Sequence, residues 1–186
     1  MHAIYPKQGA APVLFRHGMS SVVLREAGPQ DDEAIGALLI EAFVSRYAVK
    51  MPEVTVTERR KAELRDVASK RPEAKVWVAE ADGVVVGTVT MWPPGAERSE
   101  AWLPNTADLR QLAVKASHRG TRLSTKLLDL AEAWAKEQKY AGVCLHVRRG
   151  AHGVRALYER RGYQRRPEGD LDLQPEVFLE AFFLPL

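Results

Sequence analysis

The chain has 186 residues, 46% hydrophobic and 27% charged, the proportions of one soluble globular domain large enough to bury a core without disulfides or a metal. The single Cys144 precludes an internal disulfide and points to a reducing, cytoplasmic setting; no apolar run nears the ~20 residues of a membrane span, and the N-terminus lacks a signal-peptide core. The net charge of +3 raises nucleic acid as a partner, but the arginines clustered between 148 and 166 show no aromatic-basic stacking pattern, so neither nucleic acid nor membrane is expected.

Residues 1–18 show no hydrophobic period and read as an N-terminal extension, taken as 1–20, before a domain spanning 21–186. The first strand is expected at Val22-Val23-Leu24-Arg25. Asp31 and Asp32 can then cap a helix whose apolar positions, Ile35, Leu38, Leu39, Ala42 and Phe43, fall three, four, seven and eight apart. A break runs from Tyr47 to Pro52. Thr57-Glu58 opens a more polar helix with Leu64, Val67 and Ala68 as its buried candidates, ending before Pro72.

Lys75 to Glu80 and Val84 to Trp92 are β-rich runs joined by Ala81-Asp82-Gly83, a strong hairpin signal. Pro93-Pro94-Gly95 starts a loop to Ala107 in which Trp102 either meets a bound acceptor or, the commoner arrangement, pins the loop to the body. An apolar run at Leu109, Leu112, Ala113 and Val114 is followed by the basic turn Lys115-Ala116-Ser117-His118-Arg119-Gly120. A helix then begins, with Leu123, Leu127, Leu130, Ala131 and Trp134 on one face. Its first turn offers unpaired amides and the positive dipole end. Arg119, Arg122 and Lys126, with the hydroxyls of Thr121, Ser124 and Thr125, suit a pyrophosphate there.

The strand Gly142 to Val147 leads into a short helix from about Gly153 to Arg161, with Val154, Leu157 and Tyr158 inward and Gly162 as its stop. Glu176 to Leu184 closes the chain as an apolar strand, which suggests a homodimer. GxxxxGK[ST] and GxGxxG are absent, as is the nucleophile elbow GxSxG. The five His and one Cys show no metal-ligand spacing.

The turn and helix from Arg119 resemble the acyl-CoA-binding motif [QR]xxGx[GA] of the GCN5-related N-acetyltransferase (GNAT) family, with Arg122 where that family has Gly and Ser124 where it has Gly or Ala. The segment Ala151 to Tyr163 resembles the family's NxxAxxLYxxxGF, with Leu157-Tyr158 and Gly162-Tyr163 in register, Ala151 for Asn and Val154 for Ala. This resemblance implies an α/β fold with a mixed, mostly antiparallel sheet splayed between two central strands. It also implies acetyl transfer from acetyl-CoA to a primary amine of a small molecule or peptide, without metal or acyl-enzyme. By the same resemblance, the backbone of Leu112, Ala113 and Val114 pairs with pantetheine, and Arg119, Gly120, Thr121, Arg122, Leu123, Ser124 and Thr125 hold the pyrophosphate. Tyr158 would protonate the departing sulfur, while Glu41, Arg46, Tyr47 and Glu53 fall in the acceptor groove. His146 occupies a place where some members carry a base, and reads equally as a base or as a buried, hydrogen-bonded structural histidine. The altered motif leaves a second reading open, a non-catalytic acyl-CoA-binding or interaction domain.

Overall fold

This computed structural model describes residues 13–17, 20–45 and 56–186. Strands β1 (Val13–His17), β2 (Ser20–Glu26), β3 (Lys75–Ala81), β4 (Val84–Trp92) and β5 (Thr106–Val114) form an antiparallel run. It continues through β6 (Gly142–Arg148) to β9 (Val177–Pro185), with the short β7 (Gln164–Arg165) and β8 (Leu171–Leu173) pairing to β9. Among the described strands only β5 and β6 are parallel, so the sheet is mixed and mostly antiparallel, as expected.

Helices lie on both faces. On one, α1 (Asp32–Ile40), continued by a π turn at Glu41–Ser45, and α2 (Glu58–Arg65) bury Ile35, Leu38, Leu39 and Leu64 against Val76, Val78 and Ala113. On the other, α3 (Leu123–Glu137) buries Leu123, Leu127, Leu128, Ala131 and Ala135 against Trp77, Val89, Met91, Leu109, Leu145 and Phe182. At roughly 1.5–3 kcal/mol for each fully buried large aliphatic or aromatic side chain, these two layers supply the main drive for folding.

The Asp82-Gly83 turn takes positive φ at both residues, +50° and +76°, the geometry that suits the twist of a hairpin. Helix α4 (His152–Arg160) ends at Gly162 in a Schellman arrangement. The Gly162 N–H donates to the Glu159 carbonyl and the Tyr163 N–H to that of Tyr158, at 3.0 and 3.1 Å.

Several elements differ from the sequence reading. Residues 13–17 form a strand paired to β2, where the missing periodicity predicts no element. Asp31 does not cap α1 through its side chain; its carboxylate accepts from Arg25 at 2.7 and 2.8 Å and from the Gly28 N–H. Helix α2 stops at Arg65, so Ala68 is exposed and Lys70 is buried instead. Most of the arginines from 148 to 166 hold carboxylates of this chain: Arg155 pairs with Glu159, Arg161 with Glu132, and Arg165 with Asp170.

Candidate active site

The pairing of β5 with β6 covers only Thr106–Leu109 against Gly142–Leu145. Beyond Leu109 and Leu145 the strands part, leaving the β6-facing edge of Arg110–Val114 without a strand partner among the described residues. That edge carries main-chain donors and acceptors, and an elongated amide-containing ligand can satisfy them as an added strand would.

On the opposite edge, facing β4, the same stretch carries a bulge. Thr90 faces Arg110 and Thr88 faces Ala113, so Val89 opposes both Gln111 and Leu112; Gln111 takes a φ of +58°. The extra residue reverses the alternation of side chains. Leu109, Leu112 and Val114 therefore all pack on the α3 side, and Ala113 turns to the α1 side.

The unpaired end of β5 runs directly into the turn before α3. Gly120 has a φ of +77° with open space around it, and Arg122 is left-handed at φ +62°, ψ +17°. Arg122 occupies the N-cap position, where its guanidinium, having no acceptor, leaves the first-turn N–H groups without a side-chain cap. Both Arg119 and Arg122 are exposed. Thr121 is turned away, its hydroxyl donating to the His118 carbonyl at 2.7 Å. A 15-residue helix with no side-chain cap beside two exposed guanidiniums has the charge and the donors that attract phosphate oxygens.

On the α1 side of the gap, the loop from Pro93 to Asn105 lies over β5 and β6. Trp102 packs on the ring of His146, centroids 5.2 Å apart, and a Cβ on Gly169 would meet the indole at 2.2 Å. The tryptophan thus pins the loop to the body. The His146 side chain is 5% exposed; Nε2 lies 2.9 Å from the Gly169 carbonyl and Nδ1 lies 3.8 Å from Glu100 Oε2. Burial lowers its pKa below the usual value, opposed by the Gly169 carbonyl and the Glu100 carboxylate.

Glu100 ties this region together. Its other carboxylate oxygen accepts from Arg110 at 2.8 Å, and its N–H donates to Asp108 Oδ2 at 2.8 Å. Asp108 is fully buried, and desolvation raises its pKa to about 7. Lys70, 6% exposed, reaches Gln111 Oε1 at 3.4 Å; burial lowers its pKa to about 8, with further depression by Arg60, Arg110 and Arg98.

Tyr158 lies in the α3-side cluster with Leu145 and Val147, its ring edge-on to Tyr163 at 5.3 Å. His146, between those two residues on β6, points to the opposite face. Arg46, Tyr47 and Glu53 lie outside the described residues, and Glu41 is half-buried in the π turn after α1.

Glu100, Asp108, Lys70 and Gln111 are absent from the sequence reading. The alternation Thr106, Asp108, Arg110 against Ala107, Leu109 was the available signal, since a carboxylate inside an apolar strand needs a reason to be there. Among the described residues no cluster of three or more His, Cys, Asp or Glu side chains can hold a metal, and no helix is long and apolar enough to cross a membrane.

The acetyltransferase (GNAT) family model matches residues 29–163. Probable N-acetyltransferase camello of Xenopus tropicalis is 33% identical over 89 residues, 48% of this chain and 38% of that protein. N-acetyltransferase 8 of Rattus norvegicus is 31% identical over 116 residues, 59% of this chain and 50% of that protein. The chain therefore matches half or less of the length of these relatives. Among solved structures, a GNAT-family acetyltransferase from Staphylococcus aureus Mu50 gives a TM-score of 0.68 at 16% identity, over 89% of this chain and 99% of that one. The PaiA N-acetyltransferase of Thermoplasma acidophilum, solved in complex with coenzyme A, gives 0.65 at 17% identity, over 86% and 97%. At these identities the likeness is one of fold.

Proposed function

Because the chain belongs to the acetyltransferase (GNAT) family, we propose that it transfers an acetyl group from acetyl-CoA to a primary amine by direct attack. The observation that carries this reading is the conjunction of an unpaired strand edge at Arg110–Val114 with an uncapped helix end at Leu123. The edge suits the amides of pantetheine, through Leu112, Ala113 and Val114, while the bend from Arg119 to Thr125 suits the diphosphate. Acetyl-CoA bound this way points its thioester into the gap.

Transfer needs a neutral amine, a polarised carbonyl and an acid for the thiolate. In this reading the amine nitrogen bonds to the thioester carbon, the C–S bond breaks, and the Tyr158 hydroxyl gives its proton to the sulfur. His146, neutral at pH 7 because burial holds its pKa low, takes the ammonium proton at Nδ1, where the Glu100 carboxylate stabilises the imidazolium. A water carries the proton to this buried atom.

Isothermal titration with acetyl-CoA, followed by CoA release with a panel of amines, tests the proposal. Absence of heat at millimolar acetyl-CoA refutes donor binding. Heat without turnover favours an acyl-CoA-binding domain that performs no transfer.

A further inference from the structure

Tyr158 is the one fully buried residue of α4, so the helix has little apolar surface of its own to fix where that side chain stands. The residues that follow α4 compensate. The Tyr158 carbonyl accepts from the Arg161 N–H at 2.9 Å and from the Tyr163 N–H at 3.1 Å, and the Tyr163 ring stands edge-on to that of Tyr158. Arg161 and Tyr163 thus hold Tyr158 through its backbone and its ring.

Both are gripped by one carboxylate on another helix. Glu132 Oε1 accepts from Arg161 Nε at 3.0 Å and from the Tyr163 hydroxyl at 3.1 Å, while Oε2 accepts from a terminal nitrogen of the same guanidinium. Two parallel bonds from one guanidinium fix the geometry more tightly than a single contact would. Glu132 and Arg161 are each 15% exposed and Tyr163 is buried, so water competes weakly for these bonds. Burial and the Glu132 carboxylate raise the Tyr163 pKa well above its ordinary value, which keeps the hydroxyl a donor. A phenylalanine would fill the same space and edge onto the same ring; what the hydroxyl adds is the bond to Glu132.

Glu132 belongs to α3. The uncapped first turn of that helix, at Leu123, lies about 14 Å away along its axis. One rigid element therefore carries both the end suited to a diphosphate and the anchor of the residues that hold Tyr158.

We infer that Glu132 is a positioning residue: through Arg161 and Tyr163 it locks α4 to α3, so that the Tyr158 hydroxyl keeps a fixed place relative to a thioester delivered at the same helix. This assignment rests on the acetyl-transfer reading above, with Tyr158 as the acid. A displacement of about 1 Å in a reacting group can cost on the order of 10²-fold in rate, so a lock of this kind acts on kcat even where the fold survives its loss.

Tyr163→Phe removes the hydroxyl and keeps the ring. It should lower kcat for CoA release by about 3- to 10-fold, while the calorimetric acetyl-CoA affinity stays within about twofold of wild type. In a Tyr158→Phe background, where no acid is left to misplace, the same substitution should change kcat by less than about twofold. Equal fractional losses in the two backgrounds, the mark of a merely structural role, or full turnover in Tyr163→Phe overturn the inference and leave acetyl transfer intact. The lock is also read without turnover. In protein labelled with 13C-tyrosine, the Tyr158 ring signal, identified by its disappearance in Tyr158→Phe, should move in Glu132→Gln. Should that variant fail to fold, Arg161→Lys, which keeps the charge and loses the two-bond geometry, carries the same measurement. A displaced signal supports the lock, and an unmoved one overturns it whatever becomes of the enzymatic reading.

Discussion

His146 Nδ1 faces Glu100 Oε2 across 3.8 Å while Nε2 of the same ring is held at 2.9 Å by the Gly169 carbonyl. A carbonyl only accepts, so Nε2 carries the hydrogen and Nδ1 the lone pair. Any proton the ring gains arrives beside a carboxylate. His146→Ala should lower kcat by about 10²-fold. The acid limb of the kcat/KM profile should lie below pH 6.5, and Glu100→Gln should move it lower, since the carboxylate holds the imidazole pKa up. Unchanged profiles in both variants would leave His146 a structural residue that fastens the Gly169 turn.

Tyr158→Phe keeps the ring packed against Tyr163 and removes one hydroxyl. We expect kcat to fall roughly 10- to 100-fold, with the calorimetric acetyl-CoA affinity within about threefold of wild type, because in the proposed mechanism the residue acts on the leaving sulfur and not on the phosphates. A variant with full turnover would remove the acid assignment.

Arg122 combines a strained backbone with a useful charge. Arg122→Gly should raise stability by about 0.5–1 kcal/mol in chemical denaturation by relieving the left-handed conformation. It should also weaken acetyl-CoA binding several-fold and flatten the salt dependence of that binding. A gain in affinity would show that the arginine hinders the diphosphate.

Asp108 makes stability depend on pH. Its carboxyl pKa is raised by burial to about 7 in the folded protein, against about 3.9 unfolded. The folded state therefore binds the extra proton between those values. Its contribution is fully present below about pH 4 and lost as pH rises through 7. Asp108→Asn, neutral throughout, should shift the urea midpoint upward at pH 8 relative to wild type, with a much smaller difference at pH 5. Parallel pH curves for the two proteins would contradict the assignment.

Arg161 and Glu132, each about 15% exposed, form an ion pair that also receives the Tyr163 hydroxyl at 3.1 Å. Arg161→Ala strands the glutamate against α4 and should cost about 2–4 kcal/mol, read as a fall in the denaturation midpoint.

Much of this architecture is legible from periodicity. The α3 stripe, the Asp82-Gly83 turn and the Gly162 stop follow from local chemistry, and the structure has all three. The splay between β5 and β6 is a non-local relation, and only the resemblance of the Arg119 and Tyr158 segments to a family pointed to it. Strands β1, β7 and β8 went unread because they are short and owe their existence to neighbouring strands. In the candidate site, the helix end and strand edge were accessible through motifs, whereas Lys70 was hidden by helix register. With α2 ending at Arg65, a position that the 3.6-residue period leaves unassigned turns inward, and the expected Ala68 turns out.

The divergence of β5 from β6 places an open backbone edge inside a sheet, where most proteins expose such edges only at the rim and must guard them against sticking to other chains. Here the guard is the taper itself. A full foreign strand would need roughly 10 Å between its two neighbours along its whole length, yet at Leu109 and Leu145 the walls are already hydrogen-bonded partners. The notch is therefore closed to aggregation while remaining open to a slender, pointed guest.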